Sequence, residues 1–149
     1  MSESQNVQVV RQVIQAVSDF DFDTVEQLVS GDIVVEQPFA TLGMAEKMKG
    51  RDAFIAGLRF VPSMFHEFKL NITAVYDCPD ENTVVFEQTS AGIFNVDGSS
   101  YSNRYIMIFG FCDGKISIWK EGYDARIMHE RMTPVMAAMG TSKGSSGAQ

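Results

Sequence analysis

Glu121 lies in the run Trp119-Lys120-Glu121-Gly122-Tyr123-Asp124. Alternation along a strand puts Trp119, Glu121 and Tyr123 on one face. A carboxyl among aromatic rings loses hydration, and its pKa rises toward the range useful for acid–base work. The run before it behaves alike: Tyr101, Asn103, Tyr105, Met107, Phe109 and Phe111 share a face. Asn103 and Tyr105 are types that can hydrogen-bond a carbonyl or an enolate. The two runs meet at Cys112-Asp113-Gly114-Lys115, and Asp-Gly between alternating apolar runs is a strong hairpin signal. Amide, phenol, indole and carboxylate interleaved with apolar side chains suit a pocket for a polar organic molecule. The competing reading makes Glu121 a surface charge and Tyr105 an ordinary core tyrosine. The aromatic neighbours favour the pocket.

Further candidates flank this hairpin. Gln88 and Ser90 share a strand face and could form polar wall. Glu36 is a second carboxylate, and strand parity decides whether Glu36 or Gln37 points inward. If Glu36 and Glu121 both face in, they could act as base and acid in a proton shuttle or a dehydration. Asp124 is placed to cap a following helix.

The elements that would position these groups follow from spacing. Ser2 or Ser4 starts a helix to about Ser18, with Val7, Val10, Val13 (or Ile14) and Val17 at helical intervals. A short helix from Thr24 to about Val29 ends at Ser30-Gly31. Ile33 to Gln37 reads as a strand halted by Pro38, and 40–49 as a loop. A third helix follows Gly50 and reaches about Phe60. From Glu67 onward the pattern is β: Phe68–Tyr76, Thr83–Phe94, Tyr101–Phe111 and Lys115–Tyr123. A helix interrupted near Pro134 covers Arg126 to Ala138. The Gly/Ser-rich tail, 139–149, reads as disordered. Helices first and an antiparallel meander after make an α+β layout in a single domain, 1–138. A curved antiparallel sheet wrapped around the N-terminal helices would leave a conical pocket.

With 149 residues the chain is of one-domain length, and it can bury a core and still enclose a cavity. A net charge of −7 argues against nucleic acid and against anionic membrane surfaces as partners. No segment has the length of a transmembrane span, and no basic-then-apolar start suggests a signal peptide. Cys78 and Cys112 read as reduced thiols of a cytoplasmic protein rather than as a pair. Two histidines make a His-rich metal site unexpected.

The order of elements, the Gly50-Arg51-Asp52-Ala53 helix start and the Asp113-Gly114-Lys115-Ile116 to Asp124 ending resemble the nuclear transport factor 2-like superfamily. Within it the chain is similar to SnoaL-like members, of the polyketide-cyclase-like or phenazine-biosynthesis A/B-like kind, over roughly residues 5 to 130. The resemblance implies a cystatin-like α+β barrel and a hydrophobic, oxygenated small-molecule ligand. It implies no cofactor and no metal. Ketosteroid isomerases of this superfamily place a base just before a Pro-Phe pair. Here Gln37 holds that position, with Glu36 one step earlier, while Val13 falls at the catalytic Tyr and Asn103 or Arg104 at the oxyanion Asp. Epoxide hydrolases of the superfamily have an Arg-x-Asp pair and a last-strand Asp, matched here by Gln88, Ser90 and Glu121. The phenazine-biosynthesis proteins carry a pocket Glu that Glu121 matches. The resemblance also puts Phe39, Phe54, Leu58 and Phe65 on the apolar part of the cone, and His66 near its mouth.

The expectation is a cofactor-independent acid–base enzyme, an isomerase, cyclase or dehydratase. Glu121 and Glu36 would move protons while Asn103 and Tyr105 polarise a carbonyl, with Trp119 and Tyr123 contacting the ligand. The rival is a non-catalytic binding or assembly module. Either would form a homodimer through a convex apolar stripe of Val84, Phe86, Ile106, Ile108 and Ile118.

Overall fold

A computed structural model describes the backbone of residues 2–147 and the side chains of residues 2–140. The first helix, α1 (Gln5–Ser18), is capped by Ser4, whose Oγ accepts from the Val7 N–H at 3.2 Å. Val10 and Val13 on its apolar stripe are fully buried. Helix α2 (Phe22–Leu28) is capped by Asp21 and starts two residues earlier than its apolar spacing suggested. Strand β1 (Val29–Glu36) follows directly, and β2 (Lys47–Lys49) pairs back onto it antiparallel. Next come α3 (Arg51–Arg59) and the single turn α4 (Val61–Met64). The meander is β3 (Phe65–Cys78), β4 (Thr83–Phe94), β5 (Ser100–Cys112) and β6 (Lys115–Tyr123). Helix α5 (Ala125–Gly147) continues through Pro134 and past the expected end near Ala138. The expected disordered tail, 139–149, falls mostly on residues whose side chains lie outside the described ones.

The six strands form one curved, unclosed sheet in the order β2-β1-β6-β5-β4-β3. The meander is antiparallel as expected. Strand β1 lies parallel to β6, so the sheet is mixed at that junction. The Asp113-Gly114 turn has both φ angles positive, at 52° and 77°, as a two-residue hairpin turn of this type requires. The N-terminal helices and α3 cover the concave face, and the main core fills the space between.

Strand parity settles the faces. On β4, Val84, Phe86, Gln88 and Ser90 all point inward and are buried. Val84 and Phe86 therefore do not belong to the convex stripe. A residue two steps from an inward Gln88 must share its face. On β1, Ile33 and Val35 point inward, which turns Glu36 outward. Glu36 lies between Lys47 and Lys120, each with its Nζ 3.5 Å from a carboxylate oxygen. Gln37 is the residue that faces in, and its Oε1 accepts from the Tyr123 hydroxyl at 3.2 Å.

Candidate active site around Glu121

Strands β5 and β6 bring the candidate residues together through their register: Tyr105 lies opposite Tyr123, Met107 opposite Glu121, and Phe109 opposite Trp119. Glu121 is partly buried and lines a cavity of about 130 Å³ with Phe65, Phe68, Leu70, Tyr101, Tyr105, Met128 and Met132. Burial raises the Glu121 pKa, with the Trp119 indole acting in the opposite direction as a donor. Burial also raises Tyr101, Tyr105 and Tyr123, each further raised by the charge of Glu121. The phenols stay protonated and can donate.

A hydrogen-bonded network fixes the polar wall. The Tyr105 hydroxyl donates to Ser90 Oγ at 2.9 Å, and the same oxygen accepts from the Asn103 N–H at 3.0 Å. The Asn103 amide donates to Tyr101 Oη at 2.8 Å and to the Asp124 carbonyl at 3.1 Å. Its oxygen accepts from the N–H groups of Arg104 at 2.8 Å and Asp124 at 3.2 Å. Every donor and acceptor of Asn103 is thus engaged. It clasps the end of β6 and aims Tyr101. Among the described residues the Tyr101 hydroxyl has only the Met128 thioether as acceptor, at 3.7 Å, a weak partner that a ligand oxygen can replace. Asp124 caps α5, with Oδ1 accepting from the N–H groups of Arg126 and Ile127.

The remaining candidates are spread more widely. Trp119 packs against Phe109 at 4.3 Å and Phe54 at 4.9 Å between ring centres. Trp119 and Phe54 form core behind the cavity and do not line it, and Leu58 packs against the same core. Gln88 lies beside Tyr105 on the inward face, with a buried Oε1 that has no hydrogen-bond partner among the described residues. Phe39 is not on the apolar cone: it is 61% exposed and packs over Gly122 on the convex face. Strand β1 ends at Glu36, and Pro38 and Phe39 lie in the turn after it. His66 is exposed on edge strand β3, in a shallow groove with Asp19 and Lys69 away from the cavity. Tyr101, Phe68, Leu70, Met128 and Met132 line the cavity although their sequence positions alone do not mark them as site residues. Phe68 and Leu70 alternate on β3, and Met128 and Met132 stand four apart on α5, so the spacing signal for a shared face was present. Among the described residues no three His, Cys, Asp or Glu side chains come together as metal ligands.

The SnoaL-like domain family matches residues 10–119, and the chain belongs to that family. Its curved, unclosed sheet and N-terminal helices are consistent with the nuclear transport factor 2-like cone fold. It is similar to the uncharacterized protein YesE of Bacillus subtilis, 23% identical over 123 residues, covering 83% of this chain and 84% of that one. Among solved structures it is similar to a candidate isomerase from Bacillus subtilis, at 23% identity and a TM-score of 0.77, covering 86% of this chain and 92% of that one. It is also similar to an epoxide hydrolase of the limonene type from M. tuberculosis, at 20% identity and a TM-score of 0.69, covering 93% and 96%. At these identities the likeness is one of fold, and chemistry has to be argued from the site.

Proposed function

We propose that the protein is a cofactor-independent acid–base enzyme acting on a hydrophobic, oxygenated small molecule, with Glu121 as its proton-transferring group. The observation that carries this is the partly buried Glu121 carboxyl, its pKa raised, in an apolar cavity edged by phenols. A carboxyl so placed gives a proton to a carbonyl oxygen, or takes one from the adjacent carbon, near neutral pH. Tyr101 supplies the hydrogen bond that stabilises the resulting enol or enolate. Isomerisation, cyclisation and dehydration need no more than this proton movement and orientation. The relatives assigned as an isomerase and an epoxide hydrolase support small-molecule chemistry in this cone. Glu36 has no part in the proposal, because it faces away from the cavity.

One observation favours the rival, a binding protein without turnover: among the described residues Glu121 is the only carboxylate lining the cavity. The test is exchange of the C6 protons of cyclohex-2-enone, on the saturated carbon next to the carbonyl, for deuterium, followed by NMR with the wild-type chain and with Glu121→Gln. Enzyme-dependent exchange that falls at least a hundredfold in the variant supports catalysis. Binding without exchange, unchanged by the substitution, establishes the rival.

We also propose a homodimer through the convex face. There Ile106 is 60% exposed, Ile118 is exposed and Ile108 half-buried, beside a groove of about 610 Å³ edged by Phe39, Glu87 and Arg104. One patch carrying both Arg104 and Glu87 can pair with its own copy about a two-fold axis. Light scattering at micromolar concentration tests it: a dimer is expected, and Ile106→Asp should give a monomer. A monomeric wild-type chain would remove the proposal.

A further inference from the structure

We infer that the Glu121 site is sized for a single six-membered ring carrying one oxygen, and that Met128 and Met132 of α5 set that limit. This rests on the reading of the cavity as the substrate site. A cavity of about 150 Å³ is known to take one benzene ring, and this one measures about 130 Å³. The cavity is partly open, so a second fused ring either moves a wall or stays in the mouth, outside the apolar lining.

Most of the wall is fixed. Phe65 stacks on Phe94 with ring centres 4.7 Å apart and meets Phe68 at 4.9 Å and Tyr101 at 5.8 Å. Behind Phe65 lies Gly92, where even a methyl group would sit 3.0 Å from the ring. Phe65 cannot retreat in that direction. Tyr101 is held by Asn103 and Tyr105 by Ser90. The side left to yield is α5, where Met128 and Met132 stand on one face, four residues apart. Met132 is buried in the cluster of Phe65, Phe94, Tyr101 and Val135. Thioether side chains adapt their shape, so the limit is graded rather than absolute. It acts on ring number, while Glu121 and Tyr101 act on the oxygen.

The test is NMR titration of the full chain with three probes: phenol, cyclohex-2-enone and 2-naphthol. On apolar area alone 2-naphthol would bind more tightly than phenol, so a reversed order is the signature of size exclusion. Both one-ring probes should bind the wild-type chain, and 2-naphthol should bind at least tenfold more weakly, the usual scale of an overpacking penalty. Met128→Ala and Met132→Ala should each bring 2-naphthol to or below the phenol Kd. Met128→Leu, similar in volume, should keep the wild-type order. The inference is overturned if wild type prefers 2-naphthol, if neither one-ring probe binds, or if the alanine variants leave the order unchanged. Glu121→Gln separates the two readings. If ring selectivity persists while enone exchange is the same in wild type and variant, the acid–base reading fails and the size limit stands.

Discussion

Replacing Asn103 by leucine tests whether this residue serves the ligand or the fold. The substitution keeps the heavy-atom branching and removes every side-chain hydrogen bond. Four are lost: to Tyr101 Oη, to the Asp124 carbonyl, and from the N–H groups of Arg104 and Asp124. A typical net contribution is about 1 kcal/mol each, and a buried group left unpaired costs about 1–3 kcal/mol. The Asp124 carbonyl keeps a second donor, the Met128 N–H at 3.1 Å, which limits the cost. The balance is a loss of about 3 kcal/mol. At roughly 3 °C per kcal/mol for a chain of this size, Tm falls by about 9 °C. Urea unfolding followed by circular dichroism measures the first quantity, and a thermal scan the second. A loss below about 1 kcal/mol would refute the clasp. If phenol binding were abolished at the same time, Asn103 would return to the role of ligand donor.

Three further expectations concern other parts of the structure. Burial raises Glu121 above its ordinary 4.5, so the folded chain keeps this proton where the unfolded chain has lost it. The stability this gives is full below the unfolded pKa and is lost as pH rises through the folded one, at about 1.4 kcal/mol per pH unit between them. Relative to wild type, Glu121→Gln should therefore gain stability from pH 4 to pH 7.5 in urea titrations, and parallel curves would contradict the burial argument. Gly92→Ala should cost about 1–3 kcal/mol, because the new methyl meets the Phe65 ring at 3.0 Å against a stacked wall; an unchanged urea midpoint would show that the wall yields. Glu36→Gln should change stability by less than about 1 kcal/mol, since its lysine partners are exposed, and should leave cyclohex-2-enone exchange intact; loss of exchange would bring Glu36 back into the mechanism.

The meander was legible because period two and turn chemistry coincide there. Thr83–Phe94 and Lys115–Tyr123 have the same bounds in sequence and structure. Strand β1 was harder, because Ile33, Val34 and Val35 are three apolar residues in a row and carry no alternation. Its pairing with β6 chooses the face, and that pairing spans most of the chain. Strand β2 is Lys-Met-Lys, with no β signature of its own, and exists because β1 offers it an edge. Glu121 and Tyr105 could be placed because they stand on the well-marked hairpin. Met128 and Met132 could not, because helical spacing shows which residues share a face of α5 but not what that face covers. Asn103 was found at the right place with a different occupation: its type suggested a donor for a ligand, and the backbone of Asp124 claims it first.

The parallel junction of β1 with β6 has a consequence for how the chain is made. Strand β1 is synthesised early, yet its sheet neighbour on that side is complete only at Tyr123. Until then its apolar face has no sheet to join, and α1 and α2 have only part of the surface they cover. Long-range strand pairing of this kind slows folding, because the loop-closure entropy is lost before the contact is gained. On the ribosome the first half of the protein must wait for the second, and its exposed valines are then open to capture by chaperones or by other chains.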